Sequence, residues 1–170
     1  MWMHLRRAAE TVRDGGVIAY PTEGVYGLGC DPLNQSAVER LLAIKQRRMA
    51  AGLILLAADC DQLEPFLRID VGERARMNAR WPGPVTFLAP ASDRVPAWIR
   101  GAHDTVAVRV SEHPLARELA RRAGTPLVST SANRSGRPAA TNVFQVRRHL
   151  GAELDFVVNG ACLRPGKAST

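Results

Sequence analysis

Apolar and polar positions along the 170 residues fall into segments of two periods, one helical and one extended. Met3 to Asp14 carries Leu5, Ala8, Ala9 and Val12 at helical spacing and runs into Gly15-Gly16, which predicts an amphipathic helix with a glycine stop. Apolar runs at Val17–Tyr20, Leu53–Ala57, Val85–Leu88, Leu127–Ser129 and Phe156–Asn159 read as strands, as does the alternating Thr105–Val110. Ser36-Ala37-Val38-Glu39 has the form of a capping box, opening a helix with Val38, Leu41 and Leu42 that ends in Lys45-Gln46-Arg47-Arg48. Asp61 is the expected cap of a short helix, Asp70 to Arg80 forms another, and Trp81-Pro82-Gly83-Pro84 breaks the chain. Pro90 to His103 reads as irregular, anchored by Val95, Trp98 and Ile99. Pro114 suits the first turn of a helix closed by Gly124, and Asn142 caps a last helix running to Leu150. Some connections are too short for crossover helices, so the alternation predicts a single α/β domain over residues 1–170, with at least five strands in a mixed sheet.

Composition narrows the partners. Hydrophobic residues at 46% and charged residues at 23% are ordinary for a soluble globular protein. No apolar run approaches membrane-spanning length, and His4, Arg6 and Arg7 interrupt the beginning of the chain where a signal peptide would carry its apolar core, so the expected location is cytoplasmic. Cys30, Cys60 and Cys162 are isolated and the four histidines are scattered, which argues against a disulfide framework or a metal site. The formal net charge of +7 favours a polyanionic partner, either nucleic acid or a nucleotide.

Four stretches could carry chemistry. Pro21 to Asp31 follows a buried strand and holds Gly24, Gly27 and Gly29, which reads as a glycine-rich loop that lets a ligand approach the main chain. Thr22, Glu23 and Tyr26 place a hydroxyl, a carboxylate and a phenol on it, and its glycine order is not the dinucleotide fingerprint. Lys45-Gln46-Arg47 puts cations at a helix C-terminus. Arg109 ends a buried strand and needs an anionic partner, either a structural acid or a ligand carboxylate or phosphate. Ser129-Thr130-Ser131-Ala132-Asn133 gathers hydroxyls and an amide at a strand end, without the surroundings of a nucleophile elbow, so these read as hydrogen-bonding groups.

Pro21–Gly29, Lys45-Gln46-Arg47, Trp81 to Thr86, Val106 to Arg109 and Ser129–Asn133, in this order and spacing, resemble the YrdC-like family from about Leu5 to the C-terminus. The resemblance implies a twisted mixed sheet with flanking helices around a basic concave cavity. It also implies the synthesis of threonylcarbamoyl-AMP and pyrophosphate from ATP, L-threonine and bicarbonate, with Mg2+. The product feeds threonylcarbamoyl modification of tRNA next to the anticodon, through a threonylcarbamoyl transferase complex as acceptor.

By the same resemblance Lys45 and Arg47 hold the phosphates, and Thr105, Ser131 and Asn133 bind the nucleotide. Arg109 clamps the threonine carboxylate, while Thr22, Tyr26, Ser129 and Ser169 line the threonine pocket. No metal ligand is expected from the protein. The chain departs from the pattern at Gly24, where relatives have a hydroxyl, at Ala51, which replaces a polar contact, and at Leu56, which replaces a histidine. Relatives continue past a Ser-Thr-Ile segment, whereas this chain reads Ser169-Thr170 and is expected to be short at that end. The alternative reading is a non-catalytic module for double-stranded RNA or tRNA that uses the basic cavity.

Overall fold

Helical spacing puts Leu5, Ala8, Ala9 and Val12 on one side of the first helix, α1 (Trp2–Arg13), and all four are buried. In the computed structural model, which describes residues 2–166, β1 (Ile18–Pro21), β2 (Tyr26–Gly29), α2 (Gln35–Lys45), β3 (Ile54–Ala57), α3 (Cys60–Leu63) and α4 (Val71–Asn78) follow. Then come β4 (Phe87–Pro90), α5 (Ala97–Arg100), β5 (Thr105–Val110), α6 (Pro114–Ala123), β6 (Leu127–Ser131), α7 (Val143–Leu150) and β7 (Phe156–Val157). The strands form one sheet in the order β4-β5-β3-β6-β2-β1-β7. The β3/β5 and β1/β7 pairs are parallel and the others antiparallel, the mixed sheet that the short connections predict.

The largest departure from expectation is β2. The glycine-rich stretch is not a loop throughout, because its second half pairs with β1 and with β6. Gly29 is needed for that pairing: a Cβ there would stand 2.6 Å from the Val128 carbonyl oxygen and 2.7 Å from Cε1 of Tyr20. Periodicity misses such a strand, since two of its four residues have no side chain to alternate. Three local expectations also shift. The cap of α2 is Asn34, which accepts from the Ala37 amide at 3.1 Å, and not Ser36. The cap of α3 is Asp59, accepting from the Gln62 amide at 3.0 Å, and not Asp61. Val85 stays in the turn, where its carbonyl takes the Trp81 indole N–H at 2.7 Å, so β4 starts at Phe87. The segment read as irregular contains α5.

Each face of the sheet has its own core. On one face Leu28, Leu55, Val106, Val108 and Val128 pack with Val38 and Leu41 of α2, Ile99 of α5 and Val146 and Leu150 of α7. On the other, Ile18, Tyr20, Leu56 and Leu127 pack against α1 and against Ala116, Leu119 and Ala120 of α6. Among the described residues no helix is long and apolar enough to cross a membrane.

Candidate functional site

Strand register decides what lies on the face under α1 and α6. Ile54 pairs with Ala107 on one side and Ser129 on the other, Leu56 pairs with Arg109 and Leu127, and Gly27 pairs with Tyr20 and Ser131. Paired positions share a face, so all of these point the same way. The two helices cover the part of that face around Ile18, Tyr20, Leu56 and Leu127. Beyond them Gly27, Ile54, Arg109, Ser129 and Ser131, with Thr22, Val25, Tyr26, Arg47, Leu53 and Thr130, line a cavity of about 260 Å³. A second cavity of about 200 Å³ adjoins it through Arg47, Leu53 and Ile54, and includes Ala51, Leu88, His103 and Thr105.

Arg47 reaches this floor because of how α2 ends. Gln46 takes the left-handed conformation (φ 53°), its amide donates to Ala43 O at 3.1 Å, and the Arg47 amide donates to Leu42 O at 3.0 Å. That pair of bonds is a Schellman turn, and it stops the helix with its chain reversed toward the sheet. The left-handed residue costs roughly 1 kcal/mol for a non-glycine. The next orphan carbonyl, Lys45 O, is taken by the amide of Ser135 at 2.8 Å and by its hydroxyl at 3.1 Å. The loop after β6 is thereby docked on the end of α2, which brings Asn133 to Lys45.

Lys45 is buried, and its ammonium donates to Ser131 O at 2.7 Å, to Ser131 Oγ at 2.8 Å and to Asn133 Oδ1. Ser131 Oγ also donates to Asn133 Oδ1 at 2.7 Å. Burial, and then the neighbouring Arg47 charge, bring the Lys45 pKa down to about 8. Arg47 lies beside this group, and its Nη2 donates to Gly52 O at 2.9 Å. Its Nε is buried with no partner among the described residues.

Arg109 forms a buried ion pair with Glu23, Nη2 to Oε2 at 2.5 Å. The other carboxylate oxygen of Glu23 accepts from Ser111 Oγ and from the Glu112 amide, both at 2.8 Å. Of the two partners foreseen for Arg109, the structural acid is present. The guanidinium is still not satisfied, because its Nε is buried without a partner among the described residues while the side chain lines the cavity. Glu23 is visible in the sequence as the acid of the glycine-rich stretch. Its engagement with a strand end 86 positions away is not.

The other expected site residues divide. Ser129 lines the cavity, and Thr105 lines the adjoining one. Thr22 and Tyr26 also line the cavity, but their hydroxyls are committed elsewhere: Thr22 Oγ1 donates to Val25 O at 2.7 Å, and the Tyr26 phenol lies 2.6 Å from Gly160 O and 3.2 Å from Val158 O. Their contribution to the wall is shape. Asn133 sits on the rim of a different cavity with Arg134, Arg137 and His149. Leu56, though in register with Arg109, is sealed in the core under α1 and α6. Gly24 accepts from the Gly166 amide at 2.9 Å. Ser169 lies outside the described residues.

Comparison with known proteins gives concordant results. The Sua5/YciO/YrdC family model, described as telomere recombination, matches residues 10–170. A threonylcarbamoyl-AMP synthase of Nitrosococcus oceani is 54% identical over 157 residues, covering 92% of this chain and 85% of that protein. The structure of P. abyssi Sua5 complexed with L-threonine superposes with a TM-score of 0.92 at 37% identity, covering 98% of this chain. This chain spans about half of that one, 49%. E. coli YciO superposes with a TM-score of 0.85 at 28% identity, covering 95% of this chain and 80% of the other.

Proposed function

The chain belongs to the Sua5/YciO/YrdC family, and from that premise we propose that it is a threonylcarbamoyl-AMP synthase, making threonylcarbamoyl-AMP and pyrophosphate from ATP, L-threonine and bicarbonate. One observation carries the reading: two arginines, the buried Arg109 and the half-buried Arg47, line the same cavity, and each has a buried Nε without a partner among the described residues. A buried donor left unpaired is costly, so the cavity is made for ligands that supply two separate anionic groups. An amino-acid carboxylate and a triphosphate are such a pair.

In this reading bicarbonate releases hydroxide to give carbon dioxide, the neutral threonine amine captures it to become a carbamate, and the proton the nitrogen loses leaves with that hydroxide as water. A carbamate oxygen then attacks the α-phosphate of ATP, the bond to the bridging oxygen of the β-phosphate breaks, and pyrophosphate leaves. Little covalent chemistry falls to the protein, whose task is to hold two anions together and stabilise charge at the transferring phosphorus. Arg109 holds the threonine carboxylate, with Ser129 and the turn Thr22 to Tyr26 forming the wall of the amino-acid pocket. Arg47 and Lys45 supply positive charge to the phosphates. Ser131, fixed by Lys45, and Thr105 in the adjoining cavity meet the nucleotide, while Asn133, whose amide is held by Lys45, Ser131 and Arg137 O on the rim of another cavity, positions Lys45 and Ser131.

No group of three or more His, Cys, Asp or Glu among the described residues is placed to hold a metal ion, and Glu23 is engaged by three donors. Mg2+ would accordingly be brought in with the ATP substrate, where it would supply positive charge to the phosphates. The adenylate is the donor for tRNA modification next to the anticodon, passed to a threonylcarbamoyl transferase complex in the cytoplasm, and the net charge of +7 suits a protein that works beside RNA.

The test is pyrophosphate release. It should require L-threonine and bicarbonate together, because the attacking group exists only after the amine has captured carbon dioxide. Serine lacks one methyl, worth about 1–3 kcal/mol in a fitted pocket, and should react more slowly without being excluded. Binding of ATP and RNA with no pyrophosphate release under these conditions would replace the synthase reading by the RNA-binding one.

A further inference from the structure

The two guanidiniums that face the cavity do not carry the same net charge. Arg47 donates only to neutral carbonyls, Gly52 O at 2.9 Å and Ala51 O at 3.5 Å, and has no ion pair among the described residues. Arg109 is neutralised by Glu23, with both side chains at most 7% exposed. Glu23 cannot swing away, since Ser111 Oγ and the Glu112 amide hold its second oxygen from the end of the same strand. A carboxylate removed from water this fully is a fixed negative charge at the wall of the cavity.

We infer that Glu23 is a specificity-determining residue that sorts the two anionic ligands between the two arginines, keeping phosphate away from Arg109 and reserving it for an amino-acid carboxylate. The identity of those ligands rests on the synthase reading. The sorting itself rests on charge. A phosphate group at Arg109 would set its own charge and that of Glu23 against one guanidinium, in a site with little water to screen them. An amino acid brings a carboxylate suited to a guanidinium, and it enters the site as a zwitterion that adds no net charge, before its amine becomes a carbamate. Polyphosphate is left with Arg47, whose charge nothing offsets, and with Lys45. Without such sorting, the polyphosphate substrate and product would compete for the amino-acid subsite, since both guanidiniums line one cavity.

Calorimetric titration with pyrophosphate tests this. The wild-type protein should show one pyrophosphate site, lost in Arg47→Ala. Glu23→Gln keeps the shape and the acceptor for Ser111 and Glu112 but removes the charge. Losing a unit charge about 6 Å from a bound anion should tighten binding there by on the order of a hundredfold at an effective dielectric of about 20. A second pyrophosphate site should therefore appear in Glu23→Gln, compete with threonine, and vanish again when Arg109→Gln is added. A folded Glu23→Gln protein with a single site overturns the inference. If that variant does not fold, Arg109→Lys in the otherwise wild-type chain decides. Pyrophosphate affinity should be little changed by it, and loss of pyrophosphate binding overturns the inference. The number of pyrophosphate sites does not depend on which amino acid reacts, so failure here and failure of the synthase reading are separate results.

Discussion

Lys45 and Arg47 stand two residues apart on the same helix end, and their surroundings differ. The ammonium of Lys45 has three donors and three protein acceptors, so in the proposed synthase it would act on the nucleotide through its charge and through the Ser131 and Asn133 groups it fixes. Arg47 lines the cavity and has a buried Nε without a partner among the described residues. Replacing either by Ala should lower turnover by about two to three orders of magnitude, the usual loss for one transition-state donor, while circular dichroism stays native. Near-wild-type rates in both would mean the nucleotide binds elsewhere. The depressed Lys45 pKa adds a pH dependence: turnover should decline as pH rises through about 8, where the ammonium loses its proton. Lys45→Arg, slower but always charged, should lack that limb. Stability runs the other way. Between about 8 and the ordinary 10.5, the unfolded chain holds a proton that the folded one lacks, so this residue makes the fold relatively more stable as pH rises across that window.

At the scale of elements, β2 is the strand on which the site depends, and its two glycines answer different demands. Gly29 lies against the Tyr20 ring and the Val128 carbonyl at distances no Cβ tolerates, whereas a Cβ on Gly27 would meet Tyr20 at an ordinary 3.4 Å. Gly27, however, lines the cavity. Gly29→Ala should therefore destabilise the protein by about 1–3 kcal/mol, the usual range for overpacking, read as a lower urea midpoint. Gly27→Ala should leave the midpoint almost unchanged and weaken threonine binding by filling the wall. Equal stability losses in both would show that close packing, and not the cavity, accounts for both glycines. The end of α2 is a second such element, since one left-handed residue and one serine from the loop after β6 set where Lys45 and Arg47 stand.

For the whole molecule, two cores hold the sheet from both faces, and the cavity is the part of one face that α1 and α6 do not reach. A ligand bound there in the proposed way should stabilise the entire domain. ATP at about a hundred times its dissociation constant should add about 2.7 kcal/mol, which for a domain of this size is a rise of several degrees in Tm. Threonine with ATP should raise Tm beyond ATP alone. A shift with ATP that persists in Arg47→Ala would place the nucleotide outside this cavity.

Much of this was legible from the chain alone, because it depends on neighbours in sequence. The helix α1 with its glycine stop, the strands at 54–57 and 105–110, Pro114 opening α6 and Asn142 capping α7 all follow from local spacing and backbone preference. The residue types around the cavity were legible too, since Arg47, Arg109, Ser129 and Ser131 stand out as polar groups at element ends. Tertiary structure decided the rest. Whether Gly27 and Gly29 form a strand depends on a tyrosine ring and a carbonyl from other strands. Whether Thr22 and Tyr26 offer their hydroxyls to a ligand depends on carbonyls that accept them first. Whether Arg109 is a free cation or a neutralised one depends on Glu23, 86 residues away in the chain and 2.5 Å away in space. A sequence determines which groups are present, but only packing determines which of them are already paired, and unpaired groups are what a binding site has to offer.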